Sequence, residues 1–295
     1  MSTELRDLFD AQGGVASSAQ ILNVLSRRAM QRRLDAGVLS KVWPGIYCFG
    51  EPDDATRLAG LDLRAGESVA ICLATAAAAY GFDTEGVADL HVLNPVGHLL
   101  RNSEGLIVHR RDGAPLTAVD GRPATTPDWT AVEVARGLRR PRALATLDAA
   151  LRSGTCSGRG LRSAAARQAG RRGIVAVRQL IPFADSRAES PMESEARLVM
   201  ADRGLPTPVL QHEIVDRDGR IWRVDFAWPE RLVAVEYDGF NWHSRPEDFR
   251  RDRRKRAALQ EIGWQVISIV ADDVRRDGWG MVRRIETALD RRPAA

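Results

Sequence analysis

From Ser190 to the end of the chain the apolar positions change period in an ordered way. Helical spacing from Pro191 to about Arg203 stops at Gly204 and the link LPTP, after which PVLQHEI alternates as a strand. RDGR turns the chain into a second strand, IWRVDFAW, and Pro229-Glu230 turns it again into LVAVEY, apolar enough to be covered on both faces. A long charged helix from about Pro246 to Ile262, a fourth strand WQVISIV and a terminal helix complete the unit. The expected assembly is a mixed sheet flanked by helices.

The first fifty residues predict three short helices and a hairpin. Leu5, Leu8 and Phe9 form one apolar stripe ended by Gly13-Gly14; Ser17 or Ser18 caps a second helix carrying Ile21 and Leu22; a third begins at Ser26. In that third helix, SRRAMQRRLDAG, Met30 and Leu34 lie four apart for the core while Arg27, Arg28, Gln31 and Arg32 project elsewhere. VLSKVWPGIYCFG alternates about Pro44-Gly45 and predicts a two-stranded wing carrying Lys41, so the whole reads as a winged helix-turn-helix. The middle, from Glu51 to about Asp185, mixes alanine-rich helical runs (ATAAAAYGF, PRALATLDAALR) with strand-like pieces (DLHVLNP, GLIVHRR) and carries neither metal-ligand spacing nor a phosphate loop. His91, His98 and His109 are scattered singly and read as structural. The expected fold class is therefore multidomain α+β or α/β: a winged helix at 1–50, a mixed middle domain at 51–185 and a mixed sheet with helices at 186–295.

Composition narrows the function classes. No export signal opens the 295 residues and no run approaches the roughly eighteen apolar residues of a membrane span, so a cytoplasmic protein without a membrane partner is expected. Cys48, Cys72 and Cys156 are odd in number and widely spaced, which suggests neither a disulfide framework nor a zinc knuckle. Net charge is only +4, and the basic residues are arginines except Lys41 and Lys255, a skew that GC-rich coding alone produces. Between Arg136 and Arg178 there are eleven arginines and a single acid, Asp148, a footprint suited to a polyanion or, equally, a solvated helical face.

The acids of the C-terminal unit carry the candidate chemistry. Alternation assigns Trp222, Val224 and Phe226 to one face and Arg223, Asp225 and Ala227 to the other; Ala234, Glu236 and Asp238 share a face of the next strand. A hairpin between these strands sets Asp225 and Glu236 opposite or one diagonal step apart, roughly 5 to 8 Å between backbones. Two carboxylates so placed repel unless a cation lies between them, and Mg²⁺ or Mn²⁺, which take hard oxygen ligands, suit that position. The bland alternative is that Asp225 pairs with Arg223 or Arg231. Glu236, Asp238 and His243 fall within eight residues just after the most buried strand, where ligands of α/β sheets bind, and this favours the site. The helix that follows bears Arg250, Arg251, Arg253, Arg254, Lys255 and Arg256, more cations than its acids can pair; beside a metal site they would suit a phosphate backbone, whereas alone the helix would be only a solvated face. Trp242 would stack on a base or pack in the core.

Two resemblances extend this reading. The segments SRRAMQRRLDAGVLSKVWPGIY, TAAAAYGF, VHRR, TTPDWTAVEVAR and ALATLDAALR, over about the first 180 residues, resemble the AbiEi-type antitoxins of abortive-infection (type IV) toxin-antitoxin systems. That resemblance implies DNA binding by Arg27, Arg28, Gln31, Arg32 and Lys41 and no catalysis. The series SPMESEARLVMADRGLPTPVLQ, RVDFAWPE, VAVEYDGFNWH and DRRKRAALQEIGWQV, over Ser190 to Val274, resembles endonuclease-like domains related to the very short patch repair endonuclease, within the PD-(D/E)XK nucleases. It implies that Asp225 and Glu236 hold the metal, that Glu193 is the acid of the first helix and that His243 assists proton transfer. Glu193 is equally an ordinary capping-box residue after Ser190. Asp238 stands where the motif has lysine, so that work passes to His243, to Lys255 or its neighbouring arginines, or to a second metal held partly by Asp238.

The expected function is a metal-dependent DNA endonuclease with an N-terminal DNA-binding module, in repair or defence, with Arg250, Arg253, Arg254 and Lys255 on the phosphate backbone. DNA and a cognate toxin or repair factor are the implied partners. The alternatives are a non-catalytic DNA-binding antitoxin or transcriptional regulator, and an RNA nuclease.

Overall fold

The computed structural model describes residues 3–239 and 246–291, apart from 83, 85, 87, 98, 111, 112 and the side chains of 246–249. His98, Trp242 and His243 lie outside the described residues. The architecture is mixed α+β with several sheets. By compactness the chain forms two units, Met1–Ala79 with Gly86–Thr126, and Tyr80–Glu85 with Pro127–Ala295, a division that runs through the expected middle segment.

The first unit opens with helix α1 (Thr3–Asp10), strand β1 (Val15–Ser17), α2 (Ser18–Val24), α3 (Arg27–Asp35), β2 (Leu39–Trp43) and β3 (Ile46–Phe49). Ser17 caps α2 through a reciprocal capping box with Gln20, and Ser26 caps α3 by accepting from the Ala29 amide at 3.2 Å. Gly45 turns β2 into β3 with φ 80°, a conformation that glycine adopts without strain. β1, not anticipated from the sequence, adds to that hairpin and makes a three-stranded sheet of order β1-β3-β2. Leu5, Phe9, Ile21, Met30 and Leu39 bury together beneath it, each contributing about 1.5–3 kcal/mol of apolar transfer.

Then follow α4 (Asp54–Ala65), α5 (Leu73–Ala79), the parallel pair β4 (Leu90–Leu93) and β5 (Leu106–His109), and the hairpin β6 (Leu116–Val119) and β7 (Arg122–Thr125). His91 and His109, read as isolated, are neighbours on the paired strands: their rings stack at 5.1 Å with Nδ1 and Nε2 2.9 Å apart. Burial and the facing ring push the His91 imidazole below its ordinary value.

The second unit contains α6 (Pro127–Ala135), α7 (Arg140–Arg152), α8 (Gly158–Arg167), α9 (Ile174–Leu180) and α10 (Pro191–Asp202), with α7 packed along α10. Next come β8 (Val209–Val215), β9 (Ile221–Trp228), β10 (Val233–Tyr237), α11 (Pro246–Glu261), β11 (Gln265–Ile269), α12 (Ala271–Arg275) and α13 (Gly278–Asp290). The expected single terminal helix is thus two. β8, β9 and β10 form an antiparallel meander, and α11 carries the chain across so that β11 pairs parallel with β10, giving the order β11-β10-β9-β8. None of the helices is long and apolar enough to cross a membrane among the described residues.

The sheet is covered on both faces. Leu210, Phe226, Trp228, Val233 and Val235 pack with α10 and α13, whereas Ile214, Trp222, Val224, Ala227 and Ala234 pack with Leu259 of α11 and Trp264. The expected alternation, with Phe226 beside Trp222 and Val224, therefore fails: β9 changes face between Val224 and Phe226, and β8 does so between Leu210 and Ile214. Gln211 stands at this point of β8. Its φ of 50° departs from the extended backbone opposite Asp225, the pairing register is the same on both sides of it, and Ile214 beyond it lies on the other face from Leu210.

Candidate functional site

The register of β9 against β10 pairs Phe226 with Val235, and its continuation sets Glu236 opposite Asp225, as the hairpin geometry anticipated. The Tyr237 amide donates to Asp225 Oδ2 at 2.8 Å. Burial pushes the Asp225 carboxyl up, that amide pulls it down, and the nearby Glu236 raises it again. Asp225 has no arginine partner among the described residues, because Arg223 turns to Glu189 at 2.7 Å. The bland alternative for Asp225 is therefore not the arrangement found.

Glu193, in the first turn of α10, is 8% exposed. Its amide donates to Ser190 Oγ at 3.2 Å, which is half of a capping box. The carboxylate does not complete the box. Oε2 accepts from the Glu189 amide and from Gln211 Nε2, both at 2.9 Å. Burial raises the Glu193 carboxyl, the Glu189 amide opposes this, and the Asp225 charge adds to the rise. Glu193, Asp225 and Glu236 thus form an electrostatically coupled series on α10, β9 and β10.

Lys255, grouped by the sequence with phosphate contacts, instead turns inward. Its ammonium donates to Glu236 Oε1 and to the Arg223 carbonyl, and its side chain is 17% exposed. A cation therefore stands beside the acids although the motif position holds Asp238. Asp238 is exposed, and its side chain makes no hydrogen bond or ion pair among the described residues. Arg250, Arg253 and Arg254 are exposed on α11, likewise without such partners, and an open groove of 390 Å³ runs between Arg223, Arg251 and Lys255. Gln211 was not singled out as a candidate from the sequence; a glutamine in an alternating strand carries no signal of its left-handed backbone.

In the first unit, α3 exposes Arg27, Arg28, Gln31 and Arg32, while Met30 is buried. Gln31 donates to Asp35 at 2.8 Å; the side chains of Arg27, Arg28 and Arg32 make no hydrogen bond or ion pair among the described residues. Lys41 is exposed on β2. The arginines between 136 and 178 are largely engaged within the second unit. Arg142 and Arg139 reach Glu195, Arg136 and Arg171 reach Glu133, Arg140 reaches Asp202, and Arg152 and Arg178 bond backbone carbonyls.

Residues 69–183 match the family described as the AbiEi antitoxin C-terminal domain. The uncharacterized proteins MT2308 and Rv2248, from Mycobacterium tuberculosis strains CDC 1551 / Oshkosh and ATCC 25618 / H37Rv, are each 54% identical over 267 residues, which is 90% of this chain and 98% of theirs. The chain belongs to their family. In this family member the AbiEi-matched segment begins before β4 and ends after α9. The crystal structure of the RV2827C protein from Mycobacterium tuberculosis aligns at TM-score 0.43 and 16% identity, over 71% of this chain and 86% of that one, a likeness too loose to build on.

Proposed function

We propose that the chain is a DNA-binding protein of the antitoxin type, with α3 as its recognition helix. The observation that carries this is the solvent face of α3, where Arg27, Arg28 and Arg32 are unpaired among the described residues beside Gln31. The order α1-β1-α2-α3-β2-β3, with β1 joining the hairpin, supports a winged-helix reading, in which the helix preceding the hairpin enters the major groove. Arginine and glutamine there suit base edges, and Lys41 on the wing strand suits a phosphate. The AbiEi match at 69–183 supports an antitoxin-like role, with a cognate toxin as the second partner. Selection from a random duplex library followed by footprinting tests it: a protected site is expected, and retention of that site by an Arg27→Gln, Arg28→Gln, Arg32→Gln variant would refute the assignment.

A second reading, metal-dependent cleavage of DNA by the C-terminal unit, is favoured by the convergence of Glu193, Asp225, Glu236 and Lys255. The element order α10-β8-β9-β10-α11-β11, expected from the periodicity of the sequence, supports this reading by bringing α10, β9 and β10 together. Among the described residues no three Asp, Glu, His or Cys side chains come close enough to encage an ion. Mg²⁺ commonly needs only one or two carboxylates and keeps water for the remainder, so Asp225 and Glu236 fit such an ion as its two protein ligands. When bound, it supplies Lewis-acid polarisation of a phosphodiester. Lys255 contributes a fixed positive charge beside the acids, Glu193 carries a carboxyl whose raised pKa lets it hold a proton closer to neutrality, and Arg250, Arg253 and Arg254 hold the backbone. A plasmid-nicking assay with Mn²⁺ tests this reading: loss of nicking in Asp225→Ala is expected, and equal nicking by parent and variant removes it. The same assay on structured RNA separates an RNA nuclease from a DNA nuclease.

A further inference from the structure

Gln211 is the only non-glycine residue inside a strand with a left-handed backbone among the described residues, at φ 50°. Asparagine and aspartate tolerate that region because their short polar side chains bond locally; glutamine has no such advantage, and the conformation costs about 1–2 kcal/mol. A glycine there would carry no strain. Strain of this kind persists where the surrounding structure imposes it, and it clusters at sites that use it.

The neighbours of Gln211 say what its conformation does. Leu210 pairs with Phe226 and His212 with Val224, so Gln211 stands opposite Asp225 at the point where the two strands change face. Its side chain leaves the sheet toward α10, where Nε2 donates at 2.9 Å to Glu193 Oε2. The same oxygen accepts from the Glu189 amide, so two donors fix one carboxylate. One strained residue therefore links the acid of α10 to the strand position facing the acid of β9.

Resting on the metal-dependent reading, we infer that Gln211 is a positioning residue: its left-handed backbone aims the amide at Glu193 and holds that carboxylate toward Asp225 at the edge of the cation site. The amide acts through Glu193 and touches neither ion nor substrate. An extended residue 211 would direct its side chain along the regular alternation and leave Glu193 to the Glu189 amide alone.

The test uses the full chain with Mn²⁺ and four proteins: parent, Gln211→Gly, Glu193→Gln and the double variant. Gln211→Gly relieves the strain and removes the amide together, so its thermal midpoint without metal is expected to rise by about 2 °C or more while its Mn²⁺ affinity, read by calorimetry in the absence of DNA, falls about tenfold. A residue of merely structural importance would not separate the two. The double variant is expected to bind Mn²⁺ no more weakly than Glu193→Gln, because the amide acts only through that carboxylate. Parental Mn²⁺ affinity in Gln211→Gly, a lowered midpoint, or additive losses in the double variant would each overturn the inference while leaving the metal reading intact. A parent that neither binds Mn²⁺ nor nicks DNA overturns both, and is told apart by the silence of the parent itself.

Discussion

Arg197 Nη2 lies 2.6 Å from Oδ2 of Asp148, an ion pair between α10 and α7 in which the acid has no solvent exposure at all. The other oxygen of Asp148 accepts from the Asp185 amide at 2.8 Å. Burial still pushes the Asp148 carboxyl up, with Arg197 opposing it, so the guanidinium is what makes the buried charge tolerable. Arg197→Met is expected to destabilise the second unit by about 3–5 kcal/mol, whereas Asp148→Leu combined with Arg197→Met costs far less, because no lone charge remains. Denaturant unfolding of the two variants checks this; equal losses would show that the pair is not the source of the effect.

DNA affinity is expected to respond to salt through α3. Replacing Arg27, Arg28 and Arg32 together by glutamine should lower affinity for duplex DNA about tenfold or more near physiological salt, and flatten the logarithmic salt slope by about 1 for each arginine that contacts a phosphate. Fluorescence anisotropy at several salt concentrations gives both quantities. An unchanged slope would move the contact surface away from this helix.

Lys255 is bonded to a proposed metal ligand, and its charge opposes a dication at the same place. Lys255→Met is therefore expected to tighten Mn²⁺ binding several-fold while lowering nicking by about 10²-fold, since a fixed counter-charge to the transition state is lost. Calorimetry and a nicking assay measure the two separately. Binding and nicking that fall in step would mean that Lys255 only orients Glu236.

The raised carboxyls of Asp225 and Glu193 give metal stabilisation a pH dependence. Each has a folded-state pKa above its unfolded value, so its stabilising contribution is complete below the ordinary carboxylate range and is lost as pH rises through the raised values. A dication relieves the charge that then accumulates. Mn²⁺ should raise the thermal midpoint more at pH 7.5 than at pH 5, and Asp225→Asn should largely remove the difference. Identical shifts at both pH values would leave the acids without an ion.

Much of the C-terminal unit was legible because local signals agree with one another. Gly204, RDGR and Pro229-Glu230 bound strands whose apolar content is high, and Ser190 caps α10 as its side chain predicts. The opposition of Asp225 and Glu236 followed from the length of one turn. What the sequence withheld depends on partners distant in the chain. β8 and β9 change face where Gln211 takes a left-handed backbone, and simple alternation carried past that point misassigned Phe226. Lys255 sits among arginines on a polar helix, and only the fold distinguishes it from Arg254. The arginines between 136 and 178 look like one basic field until Glu133, Glu195 and Asp202 are found opposite them. β1 is three residues long and exists only because β3 is there to pair with it.

The whole chain has two side-chain primary amines, Lys41 on β2 and Lys255 beside Glu236. Arginine resists the acyl-transfer chemistry that neutralises lysine, so an acetyl group can silence only these two positions among forty-three cationic side chains. One lies open on β2 and the other is tied to an acid, which makes the first readily modified and the second protected until the carboxylate releases it. Lysine chemistry in this protein is accordingly an address system with two entries, one in each unit.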